Sequence, residues 1–275
     1  MLPTPLLARM KLSVPINGVF VALAQVAGAL RRFCTPALFH HENQNVFDLS
    51  SAGSALLFRY RGRNLALCTY HQLGKGLNAV RPEQFMIMAD GGKTGLAPNR
   101  VSRVRMEHPE HENLEDIFLA EYADDREGRD LRPFFLKLDL GMNLGGVQPE
   151  SVQAIFAIGF PTFAREPTLE IDDDGEPTKW AVQAHWVKLY LARSENQLLD
   201  TENRTPMVQD GRADQEAIDP DGMSGAPVFF VGLTTETNAF LGFSGMITHA
   251  LGQRYMVYDA SHLKTVVDRY IDDSL

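Results

Sequence analysis

The sequence predicts an all-β protein whose chain closes with one C-terminal helix. Short runs rich in β-branched and aromatic residues recur from about Ser50 onward, as is typical of strands. Glycine-containing turn signals such as Arg61-Gly62 and Leu251-Gly252 separate these runs. Helical periodicity is found between Ala260 and Ile271, near the C-terminal end of the sequence. Many short strands joined by tight turns favour an antiparallel sandwich or barrel.

The predicted strands follow one another along most of the chain. They are Ser54–Tyr60, Asn64–Thr69, Gln84–Ala89, Asp116–Tyr122, Ala154–Ile158, Trp180–Tyr190, Pro227–Val231, Phe240–Phe243 and Tyr255–Tyr258. In the terminal helix, apolar residues repeat at spacings of three and four, and Ser261 is the predicted N-cap. These apolar residues are Leu263, Val266, Val267, Tyr270 and Ile271.

Residues 1–49 are predicted to form an N-terminal extension with two possible structures. Val19, Leu23, Val26 and Leu30 recur at helical spacing, which favours an amphipathic helix packed on the body. The same apolar run could instead be a weak export signal, with Ala27-Gly28-Ala29 as its cleavage site. Its apolar run is too short to span a bilayer, so no membrane span is expected.

Composition excludes several classes of function. The net charge of −9 argues against a protein that binds nucleic acid through a broad basic face. The two cysteines, Cys34 and Cys68, cannot by themselves build a disulfide framework or a four-ligand zinc site. We expect two buried free thiols and a cytoplasmic location, with export as the alternative.

Two polar stretches are predicted to be surface loops. Glu170–Glu176 is an acidic hairpin tip whose spacing differs from that of known calcium loops, so no metal is expected there. Arg193–Asp214 is a long polar loop with few strand-forming residues.

Three residues could combine in nucleophilic catalysis. Ser224 lies between Gly222 and Gly225, where a tight turn can expose its hydroxyl and direct successive N–H groups into one small space. A serine needs a base, which is usually a histidine held by a third group. His71 ends an apolar strand, and Asp116 begins another, so both are suited to face a cleft.

In this order, the segments resemble those of the trypsin/chymotrypsin-like serine peptidase family, in its bacterial-type members. Thr69-Tyr70-His71, Asp116-Ile117-Phe118-Leu119 and Gly222-Met223-Ser224-Gly225-Ala226-Pro227 are similar to the family's histidine, aspartate and serine motifs. Gly245–Ala250 and Tyr255–Tyr258 are similar to the strands that follow the serine, and the terminal helix closes the series. The resemblance covers about Ser50 to Ile271.

The resemblance implies a fold and an activity. The fold would be two packed antiparallel β-barrels, about 50–145 and 146–259, followed by a helix over about 261–273. The activity would be that of a serine endopeptidase: Ser224 attacks the carbonyl carbon, His71 transfers the proton, and Asp116 orients the imidazole. The N–H groups of Gly222 and Ser224 would form the oxyanion hole, and no metal or organic cofactor is expected.

The resemblance also suggests residues that bind the substrate. Ile218 falls where trypsin-like enzymes carry an acid, so a preference for basic side chains is not expected. Thr248 corresponds to a hydroxyl residue that supports the aspartate. His249 and Ala250 would line the pocket wall, and we expect His249 to help select a polar or acidic side chain. Met223 replaces the aspartate that pairs with a newly cleaved N-terminus, so activation of that kind is not expected.

The expected partner is a protein or peptide substrate. A regulatory partner could act through the N-terminal segment or the loop Arg193–Asp214. The main alternative is a protease-like binding module that has lost catalysis. An esterase of unrelated fold is a third possibility, but it requires alternation of strands and helices around Ser224, which the sequence lacks.

Overall fold

The computed structural model describes residues 10–41, 49–74, 80–89, 94–103, 116–126, 128–194, 203–211 and 215–273. Most of these residues lie in strands. The strands are β1 (Ser13–Ile16), β2 (Val19–Ala22), β3 (Cys34–His40), β4 (Leu49–Tyr60), β5 (Arg63–Cys68), β6 (Phe85–Ala89), β7 (Thr94–Leu96), β8 (Arg100–Arg103), β9 (Phe118–Tyr122), β10 (Asp125–Arg126), β11 (Arg129–Asp130), β12 (Leu136–Lys137), β13 (Val152–Gly159), β14 (Arg165–Ile171), β15 (Pro177–Ala184), β16 (Val187–Arg193), β17 (Arg204–Gln209), β18 (Pro227–Leu233), β19 (Ala239–Leu251) and β20 (Arg254–Asp259). The helices are α1 (Val26–Leu30) and α2 (Ala260–Asp272), with short 3-10 turns between strands.

The second half of the chain forms a closed barrel of six antiparallel strands, in the order β13-β16-β17-β20-β19-β18. Because successive side chains of a strand point to opposite faces, β18 contributes to two cores. Val228 and Phe230 fill the barrel interior with Leu189. Phe229 and Val231 point outward into a separate cluster. The strand is therefore buried on both faces.

The first half forms an eight-stranded sheet with the path β7-β6-β3-β4-β5-β9-β8, and β12 pairs with β4 in parallel. One face, with Leu57 and Phe118, encloses its own apolar cluster. The other face contributes Leu56 and Phe58 to the cluster that also receives Phe229 from the barrel. This shared core holds the sheet against the barrel and sets the position of the cleft between them.

Eight of the nine predicted strands recur, although β4 begins five residues before the predicted Ser54 and β19 continues eight residues beyond the predicted Phe243. The run Trp180–Tyr190 is not one strand but two, β15 and β16, which separate at His185. The backbone N–H of His185 donates to the carbonyl oxygen of Ala164 at 2.8 Å. The chain therefore leaves the β14–β15 hairpin at this point and enters the barrel. The acidic stretch Glu170–Glu176 surrounds the exposed tip of that hairpin, as predicted.

The predicted N-terminal helix over Val19–Leu30 is wrong in its first half. Val19 lies in β2, paired with Ile16 of β1, and only Val26–Leu30 is α-helical. Asn17 and Gly18 both have positive φ, at 48° and 86°, as a two-residue hairpin turn requires. The Asn-Gly dipeptide is a strong hairpin signal, and it outweighs the helical spacing of the apolar residues. The first sheet also begins inside the predicted extension, since β3 pairs with β4.

The C-terminal helix is present as predicted, but its cap differs. The N-cap is Asp259 rather than Ser261, and its side chain makes no capping hydrogen bond. The Asp259 carboxylate instead accepts a hydrogen bond from the Thr205 hydroxyl at 2.6 Å.

In the region predicted as the loop Arg193–Asp214, the described residues include β17, which pairs with β20 and β16. Among the described residues, no helix is both long and apolar enough to cross a membrane.

Candidate functional site

His71 and Asp116 meet because their strands are neighbours. β5 pairs with β9, with Cys68 opposite Phe118, so the residues after β5 and before β9 lie at the same end of the sheet. His71 lies in the 3-10 turn Tyr70–Leu73, directly beyond β5. The Asp116 side chain is 12% exposed, and that of His71 is 35% exposed. The carboxylate is thus well shielded, while the imidazole reaches the surface of the cleft.

The Asp116 carboxylate binds His71 twice. Its Oδ1 accepts the backbone N–H of His71 at 2.7 Å, and its Oδ2 lies 2.6 Å from Nδ1 of the ring. An ionised carboxylate can only accept hydrogen bonds, so Nδ1 carries the proton. The lone pair of the neutral imidazole is then on Nε2. Ring orientation and tautomer are fixed together, which is what a general base requires.

Ser224 lies in a tight turn in which two backbone N–H groups are free to bind a ligand. Gly222 and Gly225 on either side have φ of 85° and 80°. The N–H of Met223 donates to Pro220, and the N–H of Gly225 donates to Ile247. Within the described part of the chain, the N–H groups of Gly222 and Ser224 have no acceptor. Two unpaired donors beside a hydroxyl can stabilise an oxyanion.

The turn is tied to the first sheet through the carbonyl oxygen of Ser224. This oxygen accepts the backbone N–H of Ser54 at 2.9 Å and Nε2 of Gln72 at 2.6 Å. The Ser54 hydroxyl donates to the carbonyl oxygen of Gly222 at 3.1 Å. Since Gln72 directly follows His71, the amide couples the position of the imidazole to that of the serine turn. Ser54 and Gln72 could not be predicted as site residues, because their hydrogen bonds to the serine turn join residues that are at least 152 positions apart in the sequence.

The Ser224 hydroxyl donates to the carbonyl oxygen of Thr248 at 3.2 Å. Among the described residues it makes no hydrogen bond with the His71 ring. The Thr248 hydroxyl donates to the carbonyl oxygen of Met256 at 3.2 Å, and its side chain is fully buried. The predicted support of Asp116 by the Thr248 hydroxyl is therefore not seen, because the hydroxyl is bonded to a neighbouring strand.

His249 faces the imidazole of His71. The ring centroids are 5.6 Å apart, and the ring planes are inclined by 31°. Partial burial lowers the pKa of His249, and repulsion from His71 acts in the same direction, whereas the Asp116 charge opposes it. His249 is therefore more readily neutral than a solvated histidine.

A cavity of about 590 Å³ opens directly beside Ser224. Its lining includes Ile218 and Ala250 from the predicted substrate-binding set, together with Asp219 and Asp221. His249 and Thr248 are not among its lining residues. Among the described residues that line the cavity there is no lysine, arginine or histidine, so the charged side chains of this lining are carboxylates.

Cys68 is excluded as an alternative nucleophile. It is buried, and burial together with the charge of Asp116 raises its pKa well above the usual value for a thiol. A neutral buried thiol is unreactive. Cys34 is likewise a buried free cysteine whose pKa is raised by burial. Neither cysteine contributes chemistry at the cleft.

Comparison with known proteins does not assign this arrangement. No protein-family model matches the chain, and no curated protein is significantly similar to it.

Proposed function

We propose that this protein is a serine endopeptidase that uses Ser224, His71 and Asp116 through an acyl-enzyme intermediate. The observation that carries the proposal is the carboxylate of Asp116, which holds both the ring and the backbone of His71 at the cleft that contains Ser224. The eight-stranded sheet of the first half and the closed barrel would then be the two barrels of a trypsin-like fold. The cavity beside Ser224 would hold the side chain that precedes the scissile bond.

The reaction follows from the positions of the donors and acceptors. The Ser224 hydroxyl turns from the Thr248 carbonyl toward Nε2 of His71, which accepts its proton as the oxygen attacks the substrate carbonyl carbon. Negative charge develops on the carbonyl oxygen, and the N–H groups of Gly222 and Ser224 stabilise it. His71 then protonates the leaving amine, and water hydrolyses the acyl-enzyme by the same steps.

A covalent probe tests the proposal directly. We expect a fluorophosphonate to label the native protein and to fail with Ser224→Ala, because the phosphorus bonds only to an activated serine oxygen. Ser261→Ala, which removes an exposed hydroxyl outside the cleft, should label like the native protein. Labelling is read by mass spectrometry of the intact chain. A folded native protein that stays unlabelled would contradict the proposal.

One observation favours the alternative, a binding module without catalysis. The Ser224 hydroxyl is bonded to the Thr248 carbonyl and not to His71. In unliganded active sites the hydrogen bond between nucleophile and base is often long or badly aligned and tightens when substrate binds, so this arrangement is compatible with catalysis. The probe separates the two functions, since an inactive scaffold has no activated hydroxyl.

The carboxylates of the cavity favour a charge preference opposite to the polar or acidic selectivity expected of His249, which does not line the cavity. Asp219 and Asp221 line the cavity, and Arg165, which is outside that lining, interacts with the charge of Asp221. Asp219 is therefore the main group that repels an acidic substrate side chain. We expect peptides with a basic residue before the scissile bond to be cleaved at least tenfold faster than those with an acidic one, measured as kcat/KM. An exposed carboxylate contributes up to about 1 kcal/mol, so Asp219→Asn should lower this ratio about fivefold.

The matched control for this substitution is Asp139→Asn. Asp139 accepts the backbone N–H two residues ahead, as Asp219 does, but outside the cavity lining. Its substitution should leave the ratio unchanged. Equal cleavage of acidic and basic peptides by the native protein would refute the charge preference and favour selection by His249 or by shape.

A further inference from the structure

A second imidazole stands next to the catalytic pair. Ligand atoms of His71, Asp116 and His249 all lie within 4.8 Å of one another. His249 comes from β19 of the barrel, whereas His71 and Asp116 lie just beyond the strand ends at one edge of the first sheet. The cluster therefore spans the cleft, and the His249 side chain is exposed at its surface.

The Asp116–His71 pair already has the form of a metal-binding imidazole with its supporting carboxylate. Histidines that bind metals usually donate the remaining ring N–H to a carboxylate, which fixes the tautomer and raises the basicity of the other nitrogen. Asp116 accepts from Nδ1 of His71 at 2.6 Å, so Nε2 keeps its lone pair. The nitrogen that would accept the proton from Ser224 is thus also a prepared metal ligand.

The donor set selects the kind of cation. Two imidazoles with a nearby carboxylate suit zinc and similar transition metals, whereas calcium and magnesium prefer oxygen ligands alone. Zinc–nitrogen bonds of about 2.0–2.1 Å place tetrahedral ligands about 3.3 Å apart. The ligand atoms of His71 and His249 lie within 4.8 Å of each other, so a movement of at most about 1.5 Å brings them to that separation. Two hydrogen bonds to Asp116 hold His71 in place. The ring of His249 is exposed, so it is the ligand that moves.

We propose that His71 and His249, with Asp116 behind His71, bind a zinc ion reversibly, and that the bound ion masks the general base. A metal on Nε2 occupies the lone pair that would accept the proton of Ser224. No bond of the substrate changes, and removal of the ion restores the base. The masking rests on the proposed peptidase function, whereas the binding does not.

Binding is tested without any catalytic readout. Zinc binding to full-length Ser224→Ala is measured by isothermal titration calorimetry, and Co²⁺ absorption in the visible range reports nitrogen ligation. We expect one ion per chain, and at least tenfold weaker binding when His249→Ala is added. His185→Ala removes another exposed histidine, which lies 3.7 Å from Glu166, and should bind like the parent. Thermal unfolding checks that each variant is folded.

Two results would overturn the binding: no heat of binding at millimolar zinc, or equal affinity with and without His249. Masking is tested by fluorophosphonate labelling of the native protein. Zinc should slow labelling at least tenfold and a chelator should restore it, whereas His249→Ala should label at a rate that zinc changes less than twofold. Zinc-insensitive labelling of the native protein refutes masking. Absence of labelling with chelator present refutes the peptidase function and the masking with it, and calorimetry still decides the binding.

Discussion

Asp116→Asn is expected to lower kcat about 10⁴-fold while leaving the fold intact, which is the loss produced by this change in the serine peptidase triad. The asparagine amide keeps one oxygen, which can still accept the backbone N–H of His71. Its NH₂ group then faces Nδ1 and donates to it, so the imidazole proton moves to Nε2. The ring remains in place in the wrong tautomer and cannot accept the proton of Ser224. The loss corresponds to about 5.4 kcal/mol of transition-state stabilisation.

The measurement is steady-state hydrolysis of a peptide substrate, with thermal unfolding as the check on folding. Asp139→Asn is the matched control, because it makes the same chemical change at a carboxylate outside the cleft and should retain full kcat. The loss should appear in kcat rather than in KM, since Asp116 contacts His71 and does not line the cavity. A variant that keeps more than a tenth of native kcat would show that Asp116 does not orient the base.

The resemblance to serine peptidases predicts the pairing of His71 with Asp116, and local signals agree with it. Each residue sits at the end of an apolar run, and adjacent antiparallel strands bring such ends together. The links through Ser54 and Gln72 could not be predicted in this way. They depend on how the first sheet and the barrel pack against each other. The local sequence around a serine or a glutamine does not indicate which distant carbonyl oxygen it will bind.

The position of His249 illustrates a second limit. In a regular strand, successive residues alternate between faces, so a predicted register assigns each side chain to one side. The pairing of β19 with β20 shifts between Ile247 and His249, which inserts an irregularity into that alternation. Thr248 is consequently buried, and His249 faces the His71 ring instead of lining the cavity. Such shifts arise from pairing with the neighbouring strand and leave no mark in the residue pattern.

The serine turn depends on a close backbone approach at Gly225. Its φ is 80°, and a Cβ atom at this position would lie 1.9 Å from the carbonyl oxygen of Ser54 and 2.6 Å from Nε2 of Gln72. The backbone carbonyl group of Ser54 cannot move aside as the end of a flexible side chain can. Any added methyl group must therefore push the turn away from the first sheet, which stretches the bond from the Ser54 N–H to the Ser224 carbonyl.

Gly225→Ala is accordingly expected to destabilise the protein far more than its backbone conformation alone would require. Gly62→Ala is the matched control, because Gly62 has φ of 82° with no atom within 4 Å of the added methyl group. The control should lose about 1–2 kcal/mol, the usual cost of a left-handed conformation with a Cβ. Gly225→Ala should lose about 3 kcal/mol more, since overpacking and a broken hydrogen bond between the layers add to that cost. Equilibrium unfolding in urea measures both free energies. Equal losses in the two variants would mean that the turn can move away from Ser54 without penalty, and the coupling between the serine and the first sheet would then be weak.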